Sequence, residues 1–157
     1  MDEVTRCIRH IFLSPRPHHA FLNAANLLGI SLPELRRAIA EGSIVAVPTR
    51  LGLRVTREEL IAAAMRTWRQ DEIEEALGDD AAKVLPEAIR LVELRARVPR
   101  YQREMLHVLA WRSGTTVDEV LTRELEDVAC AHAEELTLAM PGLEAALAWP
   151  ERIGARV

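Results

Sequence analysis

Apolar residues in the stretch 20–42 recur at helical spacing in two consecutive segments. The first segment, AFLNAANLLGI, keeps its apolar residues on one face until Gly29 interrupts the pattern, which predicts a short helix that ends there. The second segment begins at Ser31, which forms a capping box with Glu34 three residues later, and ends at Gly42. The pattern therefore predicts two short helices joined by a tight turn.

The next residues change to strand spacing and then return to helical spacing. SIVAV and LRV alternate on either side of PTRLG, which predicts a two-stranded hairpin with Arg50 and Arg54 at its turn. Thr56 and Glu59 form a second capping box, which opens a helix in REELIAAAMRTW. The predicted order is helix, turn, helix, hairpin, helix.

This order is typical of a DNA-binding module. The second of two short helices can enter the major groove while the first braces it, and a hairpin with arginines can reach a neighbouring phosphate or minor groove. Residues 20–68 resemble the excisionase/MerR-type winged helix-turn-helix family. The matching residues are Ala24-Ala25, Leu28-Gly29-Ile30-Ser31, Leu35-Arg36-Arg37-Ala38-Ile39, Glu41-Gly42 and Val55-Thr56-Arg57-Glu58.

In that family the second helix contacts bases, so the resemblance assigns this role to Leu32, Pro33, Arg36 and Arg37. The chain departs from the family in having Glu34 here, where members often carry polar or basic residues. A carboxylate would repel phosphates unless it accepts a hydrogen bond from cytosine or serves only as the helix cap. The alternative is a docking module that does not contact bases.

The pattern of residues 70–90 predicts a helical linker, in which Pro86 lies near the start of the last helical piece. Its acidic residues at 71, 72, 74 and 75 are expected on a solvated face. Residues 92–98, VELRARV, then alternate between an apolar and a charged face. Period 2 puts Leu94, Ala96 and Val98 on one face and Glu93, Arg95 and Arg97 on the other.

After Pro99 the spacing becomes helical up to Trp111, and Ser113-Gly114 ends the run. Thr116 and Glu119 form a third capping box, which opens a helix in VDEVLTRELEDVACAHAEEL. The second module is thus a strand, a helix, a Gly turn and a capped helix.

Residues 92–129 closely resemble the ribbon-helix-helix family of Arc/CopG-type repressors, through the alternating strand, Pro99, Ala110 and the SGTTV turn. The resemblance implies that two chains pair their strands into an antiparallel ribbon in the major groove. Glu93, Arg95 and Arg97 would contact bases, and Thr115 and Thr116 would bind a phosphate at the helix start. The implied dimer core consists of Leu94, Ala96, Val98, Leu109, Val120, Leu121 and Leu125.

The alternative is that residues 86–98 form a helix. Leu85, Ile89, Val92 and Ala96 also fit a helical stripe behind Pro86. In that case, or if the strands only dimerise, the arginines would not contact bases.

Charge is distributed unevenly along the chain, whose net charge is −4. Residues 1–69 carry ten arginines against six acidic residues, a balance of +4; the remainder carries ten basic against eighteen acidic residues, a balance of −8. Because local patches govern phosphate binding, the basic first half is compatible with nucleic acid. With two cysteines, no membrane-length apolar run and no signal-peptide pattern, we expect a cytoplasmic protein.

Other candidate sites are weak. His18-His19 is expected as an exposed loop pair, and Cys7 with His10 or Cys130 with His132 offer two metal ligands rather than four. Catalytic motifs such as a phosphate-binding Gly loop or HExxH do not occur, so we expect no enzyme, no cofactor and no metal. Trp68 and Trp111 are expected in helical cores.

We therefore expect a mainly α fold with two unlike DNA-binding modules and a short intermolecular β-ribbon. The predicted function is a homodimeric, sequence-specific repressor that binds double-stranded DNA, of the kind found as antitoxins, with residues 130–157 contacting a toxin. The alternative is a dimeric interaction adaptor that does not bind DNA. The predicted segments are 1–19 (N-terminal segment), 20–69 (winged helix-turn-helix), 70–90 (linker), 91–130 (ribbon-helix-helix) and 131–157 (tail).

Overall fold

The structure is a computed structural model of the 157-residue chain, and it describes residues 2–150. It is mainly helical with one small antiparallel sheet, which confirms the mainly α fold class. The chain divides into two compact units, the first reaching Leu91 and including the described residues from Ala146 onward, the second comprising Val92–Ala145. Of the predicted toxin-contacting segment, residues 130–157, the last part from 151 to 157 lies outside the described residues.

The first unit contains six main helices and three strands within its described residues up to Leu91. They are α1 (Glu3–Leu13), β1 (His18–His19), α2 (Phe21–Leu28), α3 (Leu32–Ala40), β2 (Ala46–Thr49), β3 (Gly52–Thr56), α4 (Arg57–Thr67), α5 (Gln70–Leu77) and the short α6 (Ala81–Val84).

The core of this unit is built around α1. The side chains of Ile11 and Phe12 lie one turn after Ile8 on the same face of α1, and all three are fully buried in the core with α2, α4 and α5. Burial of each such side chain stabilises the fold by about 1.5–3 kcal/mol. The sequence pattern predicts residues 1–19 only as a separate segment, whereas α1 is a central part of the core because its apolar face needs that cover.

Residues 70–90, for which the pattern predicts a linker, also pack into this core. Ile73 and Leu77 are fully buried, while the acidic residues between and around them face solvent or lie half-buried. Arg9 on α1 donates to the carbonyl oxygens of Ala76 and Leu77 at 3.2 and 3.0 Å, so it caps the C-terminal end of α5. An amphipathic helix is buried wherever a complementary apolar face is available.

The sheet has the strand order β1-β3-β2, all antiparallel. β2 and β3 form the predicted hairpin, with Val47 opposite Arg54 and Thr49 opposite Gly52. The third strand was not predicted from the pattern, because two residues, His18 and His19, are too few for an alternation signal.

The helix caps agree with the sequence in two of three places. Ser31 with Glu34 and Thr116 with Glu119 form complete capping boxes. At α4 the Thr56 side chain accepts from the backbone N–H of Glu59, but the Glu59 carboxylate does not return to Thr56. It is buried and instead accepts the backbone N–H of Val45 at 3.0 Å, so this predicted capping box is wrong in its second half.

The second unit consists of an extended segment and two longer helices, α7 (Arg100–Ser113) and α8 (Val117–Ala131), followed by α9 (Ala133–Ala139). A further short helix, α10 (Leu143–Leu147), crosses the boundary between the units. α7 ends at Gly114, whose φ of 65° lies in the left-handed region that favours glycine. Within residues 92–145 only Ala110 and Val120 are fully buried, so this unit has a very small core of its own.

Two sequence expectations for this region are corrected. The helical alternative for residues 86–98 is wrong, because the chain there forms only a 3-10 turn at Glu87–Ile89 and then a segment, residues 91–99, that is neither helical nor paired as a strand in the single chain; we call it the extended segment. Trp111 does not pack in a core, since 83% of it is exposed, whereas Trp68 is half-buried against the first core.

Candidate nucleic-acid interface

The turn between α2 and α3 is closed by local backbone geometry. Gly29 adopts φ 67°, and its N–H donates to the carbonyl of Asn26 while the Ile30 N–H donates to the carbonyl of Ala25. This left-handed ending lets α3 start after only three residues. Ala25 and Leu28 on α2 and Leu35 on α3 are buried together in the core, which holds the two helices against each other.

α3 presents a polar face opposite Leu35. Pro33, Arg36 and Arg37 are exposed, while Leu32 is half-buried at the start of the helix. Neither Arg36 nor Arg37 makes a hydrogen bond or ion pair with another described residue, so both guanidinium groups have all five donors available. The four residues for which the sequence predicts DNA contact therefore share the solvent side of one helix, with Leu32 at its edge.

Glu34 is held at the N-terminus of α3. Its carboxylate accepts the backbone N–H of Ser31 at 2.7 Å, and hydrogen bonds from the side chain and then the backbone of Ser31 hold the pKa of this carboxyl below its usual value. The negative charge is thus engaged at the positive end of the helix dipole. Of the two roles open to Glu34 from the sequence, the structure provides the cap.

The β2–β3 hairpin carries the other two predicted arginines of this unit. Arg50 is exposed at the turn and makes no side-chain hydrogen bond or ion pair with a described residue. Arg54 is half-buried, and its Nη2 donates to the carbonyl of Leu51 at 3.3 Å. The two cations therefore lie at the same end of the hairpin.

Two side chains of α4 fix the base of this hairpin. Arg66 donates to the carbonyl of Ser43 at 2.9 Å, and Glu59 accepts the N–H of Val45 at 3.0 Å. Both contacts join the segment that leads into β2 to the helix that follows β3. The orientation of the hairpin relative to the core is thereby set by polar contacts that the sequence pattern did not reveal, because the partners are 14 and 23 residues apart.

In the second unit the predicted base-contacting residues lie on an exposed, extended segment. Arg95 donates through Nε and Nη2 to the two carboxylate oxygens of Glu93, both at 3.1 Å, while Arg97 has no such partner among the described residues. Glu93 and Arg95 can meet because residues two apart share a side of an extended chain. An exposed pair of this kind contributes little stability.

At the phosphate site predicted at the start of α8, two backbone N–H groups already have acceptors within the single chain. The backbone N–H of Thr115 donates to the carbonyl of Ala110 at 3.0 Å, and that of Thr116 donates to the Glu119 carboxylate at 3.1 Å. Both N–H groups are therefore already used, and the carboxylate adds a negative charge beside them. The capping box predicted from the same residues competes directly with phosphate binding.

The residues of the implied dimer core differ widely in exposure within one chain. Val120 is buried, Leu109 and Leu121 are half-buried, and 65% of Leu94 is exposed. Ala96, Val98 and Leu125 are exposed as well. The single chain thus covers Leu109, Val120 and Leu121 at least in part and leaves Leu125 and the residues of the segment 94–98 exposed.

The histidines and cysteines do not form a metal site in the described chain. Among residues 2–150 no group of three or more His, Cys, Asp or Glu could hold a metal ion. The expectation of an exposed histidine pair is wrong for His19, which is buried in β1 with Nδ1 2.9 Å from the Asn23 side-chain oxygen. Cys7 is half-buried, which raises the pKa of its thiol, and Cys130 is exposed.

Comparison with known protein families, with curated proteins and with solved structures found no match to this chain. In the part of the chain that the structure describes, no helix has the length and apolarity needed to cross a membrane.

Proposed function

We propose that this protein is a sequence-specific DNA-binding transcriptional regulator that acts as a repressor. The observation that carries the proposal is the solvent face of α3, where Arg36 and Arg37 make no hydrogen bond or ion pair with a described residue, and the hairpin that follows α3 in the chain carries Arg50. Arginine is the side chain best suited to bidentate hydrogen bonds with guanine O6 and N7 in the major groove. A winged helix-turn-helix would use these residues in this way.

The local geometry supports α3 as the helix that enters the major groove. Its apolar side is anchored by Leu35, which is fully buried, so the helix is held firmly while its polar side stays free. Capping by Ser31 keeps the Glu34 carboxylate at the helix end and reduces its repulsion of phosphates. Leu32 and Pro33 would then supply apolar contacts to bases near the N-terminus of the helix.

We also propose that the second unit forms a homodimer. Its extended segment exposes the apolar side chains of Leu94 and Val98, and its backbone has no strand pairing. Two such segments from two chains could pair their backbones and cover these side chains at the same time. A ribbon-helix-helix dimer would bury the predicted apolar set and turn Arg95 and Arg97 toward DNA. A second copy is the natural partner because a two-fold axis makes one face self-complementary.

DNA binding is tested by fluorescence anisotropy of the full chain with a labelled pool of duplexes that have a randomised central segment. We expect the logarithm of the association constant to fall linearly with the logarithm of the salt concentration between about 50 and 200 mM. Arg36→Ala with Arg37→Ala should weaken binding to the enriched duplexes about tenfold or more per arginine that contacts a base. Arg6→Ala removes an exposed arginine from α1, one that lies 3.7 Å from the Glu3 carboxylate, and serves as the control for the loss of positive charge. Absence of salt-dependent binding in the wild type would refute the proposal.

Dimerisation is tested separately by sedimentation velocity. We expect the wild type to sediment at twice the chain mass of 17.6 kDa, and Leu94→Lys with Val98→Lys to sediment as a monomer. Leu138→Lys, which changes an exposed leucine of α9, serves as the control and should leave the dimer intact. A wild type that is monomeric at all accessible concentrations contradicts this part of the proposal.

A second candidate function is a protein-interaction adaptor in which the modules dimerise and dock a partner without contacting bases. It is favoured by the Glu93–Arg95 pair, which engages one predicted base-contacting arginine, and by the acidic balance of residues 70–157. The same anisotropy experiment separates the two functions, because an adaptor binds no duplex in a salt-dependent way.

Within the repressor proposal, an antitoxin role would assign toxin binding to residues 130–157. The exposed Leu138 and Met140 are apolar residues that such a contact could cover. Co-expression with the product of the adjacent gene tests this step, since an antitoxin should restore the growth of cells that the neighbour alone inhibits.

A further inference from the structure

The turn of the β2–β3 hairpin contains two hydrogen bonds of the Thr49 side chain. The hydroxyl of Thr49 donates to the carbonyl of Gly52 at 2.7 Å and accepts the backbone N–H of Leu51 at 3.2 Å. Gly52 adopts φ 94°, which a residue with a side chain would rarely take. The tip, residues 49–52, is therefore cross-linked by hydrogen bonds within the hairpin, and such preorganisation lowers the entropy cost of binding.

This hairpin tip exposes leucine where turns usually carry polar residues. Leu51 is 80% exposed and Leu53 is 57% exposed, while Val55 farther along the same strand is fully buried. Leu53 and Val55 lie on the same side of β3, because alternate residues share a face. The apolar side of the hairpin thus continues from Val55, which the core covers, to Leu53 and Leu51, which are exposed.

Cationic groups stand on both sides of these leucines. Arg50 precedes Leu51 and is unpaired within the described chain, and Arg54 donates to the carbonyl of Leu51 itself. An apolar residue between arginines is poorly suited to a hydrophobic protein pocket, since both cations would be desolvated there. The same arrangement suits a DNA minor groove, which combines a strong negative potential with stacked bases that an apolar wedge can separate.

We propose that the hairpin tip enters the minor groove of duplex DNA and that Leu51 inserts between two base pairs and bends the duplex. Arg50 and Arg54 lie along the groove, and insertion favours pyrimidine–purine steps, which unstack most easily. The inference rests on the proposed DNA-binding function and adds to it a preference for A·T-rich, deformable sites next to the segment contacted by α3.

The experiment uses the full chain and a duplex enriched by the wild type from the randomised pool. A donor and an acceptor dye at the two ends report bending, and 2-aminopurine placed at pyrimidine–purine steps reports unstacking. We expect the wild type to increase energy transfer, corresponding to a bend of roughly 20–90°, and to raise 2-aminopurine fluorescence at one step.

Leu51→Ser should abolish both signals and weaken binding roughly tenfold, because it removes the inserted apolar surface without changing charge. Its salt dependence should equal that of the wild type. Arg50→Ala should lower the salt slope by about 0.9 while keeping the unstacking signal. Leu138→Ser replaces an equally exposed leucine outside both proposed DNA-contacting sets and should behave as the wild type.

Each outcome is decisive. If the wild type binds with a salt-dependent affinity but neither bends nor unstacks the duplex, or if Leu51→Ser retains both signals, the wedge is overturned and the DNA-binding proposal stands. If the wild type enriches no duplex and shows no salt-dependent binding, the proposed function fails and the wedge fails with it.

Discussion

Glu59 offers the sharpest test of how the hairpin is held. This glutamate is almost fully buried at the first turn of α4, and one of its carboxylate oxygens accepts the backbone N–H of Val45. The other oxygen has no hydrogen-bond partner among the described residues. If the role of this side chain is to accept that N–H, then stability depends on an acceptor oxygen at this position and not on its negative charge.

The expected magnitudes follow from these contacts. Glu59→Ala leaves the Val45 N–H without its acceptor, at a cost of about 1–3 kcal/mol, and removes packed methylene surface worth about 0.8 kcal/mol. Relief of a buried carboxylate with one unpartnered oxygen offsets part of that cost. We therefore expect a net loss of about 2 kcal/mol in the free energy of unfolding. Glu59→Gln keeps an acceptor oxygen and the side-chain volume, so we expect a change within about 1 kcal/mol.

The measurement is urea unfolding of the full chain, followed by the fluorescence of Trp68 and Trp149. Both side chains pack against the first core, and the Trp149 ring lies 6.5 Å from that of Phe12. Glu58→Ala is the matched control, because it removes a carboxylate from the same helical turn without removing a described hydrogen bond. The reasoning is refuted if Glu59→Ala unfolds at the wild-type midpoint, or if Glu59→Gln costs as much as Glu59→Ala.

Three further predictions concern stability. Gly29→Ala should lower the free energy of unfolding in urea by about 1 kcal/mol, because the φ of 67° is unfavourable for alanine even though an added Cβ would meet no atom within 4 Å. Asparagine tolerates this φ better, so a Gly29→Asn variant that is no more stable than Gly29→Ala would contradict this account. Hydrogen bonds from Lys83 and then Arg9 lower the pKa of the Asp80 carboxyl, so its stabilising contribution is complete above the ordinary value near 4 and is lost as pH falls through the lower folded-state pKa. Unfolding measured from neutral pH downward should therefore show a shallower acid decline for Asp80→Asn, and an unchanged decline would exclude that role. Val120→Ala should destabilise the second unit by about 2 kcal/mol, measured by Trp fluorescence as a lower urea midpoint at equal protein concentration, and if the unit dimerises the midpoint of both proteins should rise with concentration.

Local features of the fold could be predicted from the sequence because their causes lie within three or four residues. Gly29 ends α2 and the Ser31–Glu34 box begins α3, as expected from the preferences of helix ends. The hairpin followed from alternation and a turn containing glycine. The solvent-facing positions of Arg36 and Arg37 follow once α3 is placed with Leu35 inward.

Contacts between distant residues could not be predicted in this way. The sequence pairs Glu59 with Thr56, its neighbour in the capping box, but the folded chain brings the N–H of Val45 to that carboxylate. The burial of His19 likewise depends on its pairing with Val55 across the sheet. A periodicity argument has no access to partners that only the packed fold brings together.

In residues 92–98 the pattern of side chains follows from the sequence, whereas the backbone conformation and the ion pair depend on the fold. The sequence by itself determined that apolar and charged side chains alternate there, and this alternation holds for any extended chain. The tertiary structure decided that the segment is not helical and that Arg95 pairs with Glu93 in the single chain. Strand pairing requires backbone donors and acceptors from a second strand, and none of the described residues of this chain supplies one to that segment.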